Sequence, residues 1–118
     1  MLKDKTIFLT GGAGFIGATL TGRLHEDNRI VIFDNFSRDS LTGRPWAEHP
    51  NVTVVRGDVT NAEDVGRAMA RAQPNVVVHL AAIAGVDTVI KSPTTTMRVN
   101  LVGTINTLDA ASKVKGLE

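Results

Sequence analysis

Thr10-Gly11-Gly12-Ala13-Gly14-Phe15-Ile16-Gly17 is the stretch that decides how the rest of this chain reads. It follows an apolar run, Thr6-Ile7-Phe8-Leu9, with the length of a short buried strand. Beyond it, Ile16, Leu20 and Leu24 recur at helical spacing, which predicts a helix over Phe15 to Glu26. A glycine turn between a strand and a helix suits a phosphate. The backbone can turn tightly and approach a ligand closely, and the helix N-terminus offers unpaired N–H groups and the positive end of its dipole. The spacing Gly11-x-x-Gly14-x-x-Gly17 differs from the G-x-G-x-x-G dinucleotide fingerprint by one residue inserted before the second glycine. On this reading Gly11 makes the turn, Gly14 leaves room for a pyrophosphate, and Gly17 lets the helix pack tightly on the first strand. The plain alternative is a glycine-rich turn with no ligand. Position weighs against it: the turn sits at the first strand–helix junction, and an acidic residue closes the next strand.

That next strand is Arg29 to Phe33, a continuous apolar run of the kind a parallel strand covered on both faces requires. It ends at Asp34, 20 residues beyond Gly14, where a dinucleotide-binding unit places the carboxylate that holds a ribose. Asn35 to Pro50 is polar and carries Gly43, Pro45 and Pro50, so it reads as a loop with one short helix around Trp46. Val52 to Arg56 forms a third strand, closed by Gly57-Asp58-Val59. Thr60-Asn61-Ala62-Glu63 has the pattern of a capping box and opens a helix to about Ala72, with Val65, Ala68, Met69 and Ala72 on one face. Val76 to Leu80 is the fourth strand, followed by the small residues Ala81-Ala82-Ile83-Ala84-Gly85. His79 continues an apolar strand and has no acidic partner nearby, so it reads as a buried, hydrogen-bonded residue rather than a base. Ser92 and Pro93 open the last helix as cap and first position, and Gly116 ends it. Its apolar stripe is Met97, Leu101, Ile105 and Leu108, widened by Val99, Val102 and Ala110.

Composition narrows the function classes. The chain has 118 residues, enough for one domain, and a hydrophobic content of 42%, ordinary for a globular protein. A net charge of +1 with no basic block argues against a nucleic-acid or membrane surface. There is no cysteine, which excludes disulfides, thiolate nucleophiles and cysteine-ligated metals. No apolar run approaches the roughly 18 residues of a membrane span. Met1-Leu2-Lys3-Asp4-Lys5 is charged and is not a signal peptide, so a cytoplasmic protein is expected. Alternation of strands and helices predicts an α/β domain over residues 1–118, with a parallel sheet, right-handed crossovers and strand order 3-2-1-4. The glycine turn, Asp34, Asp58 and Ala81-Ala82 all follow strand carboxyl ends and therefore converge on one rim.

Thr10 to Gly17, Asp34-Asn35-Phe36-Ser37, Gly57-Asp58-Val59, His79-Leu80-Ala81-Ala82 and Asn100-x-x-Gly103-Thr104 occur here in the order that resembles the extended short-chain dehydrogenase/reductases. Within these, the match is to the NAD-dependent nucleotide-sugar epimerases and dehydratases. The resemblance covers nearly the whole chain and implies a Rossmann-type sheet flanked by helices, stopping before the later strands. It also implies roles. The backbone of Phe15 and Ile16 would hold the pyrophosphate. Asp34 would accept from the adenosine ribose, with Asn35, Ser37 and Arg38 lining that end. Asp58 and Val59 would hold the adenine. Leu80, Ala81, Ala82 and Ala84 would wall the ribose and nicotinamide, and Asn100 would support that side. Asp34 would favour NAD over NADP, with Arg38 as the counter-argument. Some epimerases of the family carry a lysine close to position 84, where this chain has Ala84.

The largest departure is the absence of any tyrosine. In the family a Tyr-x-x-x-Lys pair and a Ser or Thr perform the chemistry on the sugar, and a C-terminal lobe binds it. The resemblance therefore implies the first part of a longer enzyme, inactive alone, and a homodimer through a helical bundle that includes the last helix. Two other readings stand beside it: a stand-alone NAD-binding or redox-sensing module, and a scaffold with a vestigial pocket.

Overall fold

The first strand, β1 (Thr6–Thr10), runs through the centre of the sheet because both its faces are apolar. Ile7 and Leu9 point one way, Phe8 the other, and all three are fully buried. The structure is a computed structural model and describes residues 1–118. After β1 come α1 (Phe15–Leu24), β2 (Arg29–Asp34), β3 (Val52–Arg56), α2 (Ala62–Ala72), β4 (Val76–His79), α3 (Val86–Lys91) and α4 (Pro93–Ser112). All strand pairs are parallel and the sheet order is β3-β2-β1-β4, the order the alternation predicts. Thr10 lies level with Phe33 on one side and His79 on the other. The carboxyl ends of three strands therefore finish together.

Two apolar clusters cover the two faces. On one, Ile7, Leu9, Ile30 and Ile32 meet Ala18 of α1 and Leu41. On the other, Phe8, Val31 and Phe33 meet Val65 and Met69 of α2 and Ala110 and Ala111 of α4. The Phe8 and Phe33 rings stack there at 5.9 Å.

Several local expectations are corrected. Residues 35–50 contain no helix around Trp46. Gly43 takes φ 85° and Pro45 follows, so the segment folds as turns. It is tied down by Trp46, whose Nε1 donates to the Ala18 carbonyl at 2.9 Å. The cap of α2 is Asn61, not Thr60: Asn61 Oδ1 accepts from the Glu63 and Asp64 N–H groups. Thr60 is already engaged, its N–H and hydroxyl both donating to Asp58 Oδ1. The short α3 leaves no mark in the sequence pattern, because its apolar residues Val86 and Ile90 are exposed and show no buried periodicity. α1 ends two residues before Glu26, β4 ends at His79, and α4 ends at Ser112 rather than Gly116. Ser92 stands at the α4 cap, but its side chain makes no capping bond.

α4 is covered on a different side from its apolar stripe. Its predicted stripe, Met97, Leu101, Ile105 and Leu108, faces outward and is 55–64% exposed. The buried side is built from Thr96, Gly103, Thr107, Ala110 and Ala111. Small residues allow the helix to lie close to α2 and the sheet, so size rather than hydrophobicity selects the covered face. None of the helices is long and apolar enough to cross a membrane.

Candidate functional site

The aligned strand ends place the glycine turn, the end of β2 and the segment after β4 around one cleft of about 500 Å³. Gly11 has φ 68°, and a Cβ there would lie 2.6 Å from the Ala81 nitrogen. A side chain is therefore barred both by backbone strain and by the close passage of the β1 turn over the β4 segment. A Cβ on Gly17 would lie 2.5 Å from Gly12 Cα. The close approach that Gly17 permits is thus to the glycine turn itself, and not to β1. The cap of α1 is Gly14, which brings no side chain, so no side-chain bond satisfies the first-turn N–H groups. These groups and the dipole end are left for an anion.

Asp34 ties β2 to that turn. Its Oδ2 accepts from the Ala13 N–H at 2.9 Å and its Oδ1 from the Phe36 N–H at 2.8 Å. A carboxylate has about four acceptor positions, so both oxygens keep capacity toward the cleft. Phe36 takes φ 61°, which turns the chain sharply after β2.

The wall after β4 is held by side chains from two other elements. Thr10 Oγ1 lies 3.2 Å from the Leu80 N–H and 3.3 Å from the Ala81 N–H and accepts from both. The same hydroxyl lies 2.6 Å from His79 Nδ1. Since it accepts from the backbone, its own hydrogen goes to Nδ1, which fixes the neutral Nε2–H tautomer. Nε2 then donates to Thr104 Oγ1 at 3.1 Å, and that hydroxyl donates to the Asn100 carbonyl. Asn100 in turn clamps Ile83: its Oδ1 accepts from the Ile83 N–H and its Nδ2 donates to the Ile83 carbonyl. His79 is half-buried and hydrogen-bonded, and burial pushes its imidazole below the ordinary value of 6.5.

Of the residues assigned from sequence, Gly11, Gly14, Asp34, Asn35, Ser37 and Arg38 line the cleft. So do Asp58, Val59, Leu80, Ala81, Ala82 and Ala84. Phe15, Ile16, Gly17 and Asn100 do not line it; Phe15 and Ile16 are exposed at the start of α1. Arg38 reaches across rather than remaining at the β2 end. Its Nη2 lies 2.9 Å from where a Gly85 Cβ would stand. Phe33, Ile83, Thr88, Thr95 and Val99 also line the cleft, beyond the residues that sequence motifs pick out, and so does Gly57 of the Gly57-Asp58-Val59 motif. Thr88 sits on α3 and Thr95 in the first turn of α4, and neither belongs to an apolar stripe that would point to it. Gly57 has a signal, as the glycine preceding Asp58.

The profile of the GDP-mannose 4,6-dehydratase family matches residues 8–118, nearly the whole chain. The chain belongs to that family. CDP-paratose 2-epimerase of Salmonella typhi is 34% identical over 107 residues, which is 88% of this chain and 32% of that protein. Among solved structures, the epimerase Mth375 of Methanothermobacter thermautotrophicus superposes with a TM-score of 0.84 at 31% identity, over 96% of this chain and 33% of the other. UDP-glucose 4-epimerase of Thermus thermophilus, solved with NAD, gives 0.77 at 31% identity, over 92% and 34%. This GDP-mannose 4,6-dehydratase family member thus has the Rossmann-type sheet of the NAD-dependent epimerases and dehydratases. It spans about a third of the length of the curated relatives it matches.

Proposed function

We propose that residues 1–118 form the NAD-binding portion of a nucleotide-sugar epimerase or dehydratase. The observation that carries this is Asp34: its carboxylate closes β2, holds the glycine turn through Ala13, and retains acceptor capacity toward the cleft. The donor set fits a dinucleotide. The uncapped α1 N-terminus beside Gly14 suits the pyrophosphate, and Asp34 suits the ribose hydroxyls. Asp58 and Val59 line the adenine end; Asp58 Oδ1 is taken by Thr60, which leaves Oδ2 for the exocyclic amine. Leu80, Ala81, Ala82 and Ala84 wall the nicotinamide end, and Asn100 acts through Ile83 rather than by touching the cofactor. Bound NAD would supply the transient hydride acceptor for oxidation at the sugar. The 118 residues contain no tyrosine to move the sugar hydroxyl proton, so binding and orientation are their whole share. Charge at Asp34 favours NAD over NADP, since a 2′-phosphate would meet a carboxylate.

A cytoplasmic location and a homodimer are both part of this reading; the apolar stripe exposed on α4 supports the homodimer. Calorimetric titration with NAD and NADP tests the proposal. NAD is expected to bind more tightly, and no binding of either would overturn the reading in favour of a scaffold with a vestigial pocket.

A further inference from the structure

β3 pairs with β2 alone and is a free edge of the sheet. α2 packs on α4 and on the inner strands β1 and β2 rather than over this edge. That leaves a trough of about 460 Å³ between β3 and α2, with Val55 on its floor. Three exposed guanidinium groups rim the trough: Arg29 from the start of β2, and Arg67 and Arg71 from successive turns of α2. None of them is paired with a carboxylate; the ion pairs in the chain are Lys3–Asp27 and Lys5–Glu118. Asp64 is the sole acidic residue on the rim, and its Oδ2 faces the Asp58 N–H. Arg56, at the upper end, is engaged differently, with its guanidinium 4.7 Å over the Phe36 ring. The chain as a whole carries only +1, so this concentration of positive charge is local.

A free strand edge offers backbone N–H and C=O groups that only another polypeptide backbone can match in register. The arginines select which polypeptide. A second copy of the chain pairing at this edge would bring its own Arg29, Arg67 and Arg71 and be repelled, whereas carboxylates can pair with the guanidinium forks. Strand geometry adds a pattern. Alternate residues of an added strand face opposite sides of the sheet. One set would meet Arg29, Arg67 and Arg71, and the other would lie beside Val54, which is on the opposite face and 42% exposed.

We propose that the β3 edge is a docking site for an extended acidic peptide segment of another protein. The segment adds as a strand beside β3, its carboxylates on Arg29, Arg67 and Arg71 and its alternate apolar side chains beside Val54. This site lies at the sheet edge, apart from the dinucleotide cleft, and does not depend on what that cleft binds.

The test is fluorescence anisotropy of a labelled peptide of alternating glutamate and valine, about six residues long, titrated with the 118-residue chain. Saturable binding that weakens as salt rises is expected. Arg67→Glu with Arg71→Glu should weaken it at least about tenfold, and a backbone N-methylated peptide of the same charge should not bind. NAD affinity should be unchanged in the double variant. If circular dichroism shows that this variant is misfolded, Arg29→Glu takes its place with the same expectation. Lack of saturable binding would overturn the proposal and leave the arginines as a guard against edge-to-edge pairing. Equal binding by the N-methylated peptide, or by the charge-reversed chain, would overturn it too. Displacement of the peptide by a tighter-binding oligothymidylate of equal charge would replace it with a nucleic-acid site.

Discussion

Asp34 does two things with one carboxylate, and a substitution should separate them. Asp34→Ala removes the acceptor offered to the ribose and strands the Ala13 and Phe36 N–H groups. A lost hydrogen bond to a charged group costs about 1.5–3 kcal/mol, so NAD affinity should fall roughly ten- to a hundredfold. The preference over NADP should relax, and the melting temperature should fall as well. Titration and thermal melts read these independently; unchanged NAD affinity in a folded variant would remove Asp34 from the site. Gly11 gives a second test at this scale. Gly11→Ala meets both a positive φ and the Ala81 backbone, whereas Gly43→Ala meets φ 85° with nothing within 4 Å. Strain alone costs about 1–2 kcal/mol, so urea unfolding should show a clearly larger loss at Gly11 than at Gly43. Equal losses would mean that the turn can lift off the β4 segment. His79 gives the third. Burial lowers its proton affinity in the folded state, while the unfolded chain takes up a proton near the ordinary value of 6.5. Stability from this group is therefore full above about pH 6.5 and is lost as the pH falls from there toward the lowered folded value. Melting temperatures across that window should fall more steeply for the natural chain than for His79→Gln, which carries no proton to gain. Parallel slopes would contradict the assignment.

At the scale of the element, α4 is the instructive case. Its apolar stripe is what hydrophobic periodicity finds first, yet that stripe faces out, and the small residues face in. Leu101→Glu with Ile105→Glu should therefore leave the fold nearly as stable as before, each within about 0.5 kcal/mol. The same changes should abolish any self-association through this face. Sedimentation equilibrium beside a denaturant curve checks both halves. A large loss of stability in a chain that is monomeric throughout would show that the stripe is covered within one molecule. α3 cannot be read from local pattern, because it has no buried residue to generate a period. The cap of α2 falls one residue past Thr60, at Asn61, whose Oδ1 accepts from the Glu63 and Asp64 N–H groups.

For the whole molecule, ligand linkage offers a direct check. NAD that binds only the folded chain adds about 2.7 kcal/mol of stability at a hundred times its dissociation constant. For a domain of this size that should raise the melting temperature by several degrees. Turnover of a nucleotide sugar by the same preparation should be undetectable, because no tyrosine is present to act on the sugar hydroxyl. A flat melting temperature across an NAD titration would contradict the binding proposal even if the fold is intact.

The parallel sheet is legible in the residues alone. Four apolar runs joined by right-handed crossovers imply a parallel sheet, and in the order β3-β2-β1-β4 the two inner strands, β1 and β2, are buried on both faces. The rim is legible too, because residues that follow parallel strands must emerge at one edge: Gly11, Asp34, Asp58 and Ala81 group together on that ground alone. Which side chains hold that rim together emerges only once the elements are packed. Thr10, His79, Thr104 and Asn100 form one hydrogen-bonded chain from β1 to the Ile83 backbone. Arg38 crosses from the β2 side to Gly85. These contacts join residues far apart in sequence, and each is set by how closely two elements approach. Approach distance depends on the small side chains between the elements, such as Gly11 against Ala81, and no local periodicity encodes it.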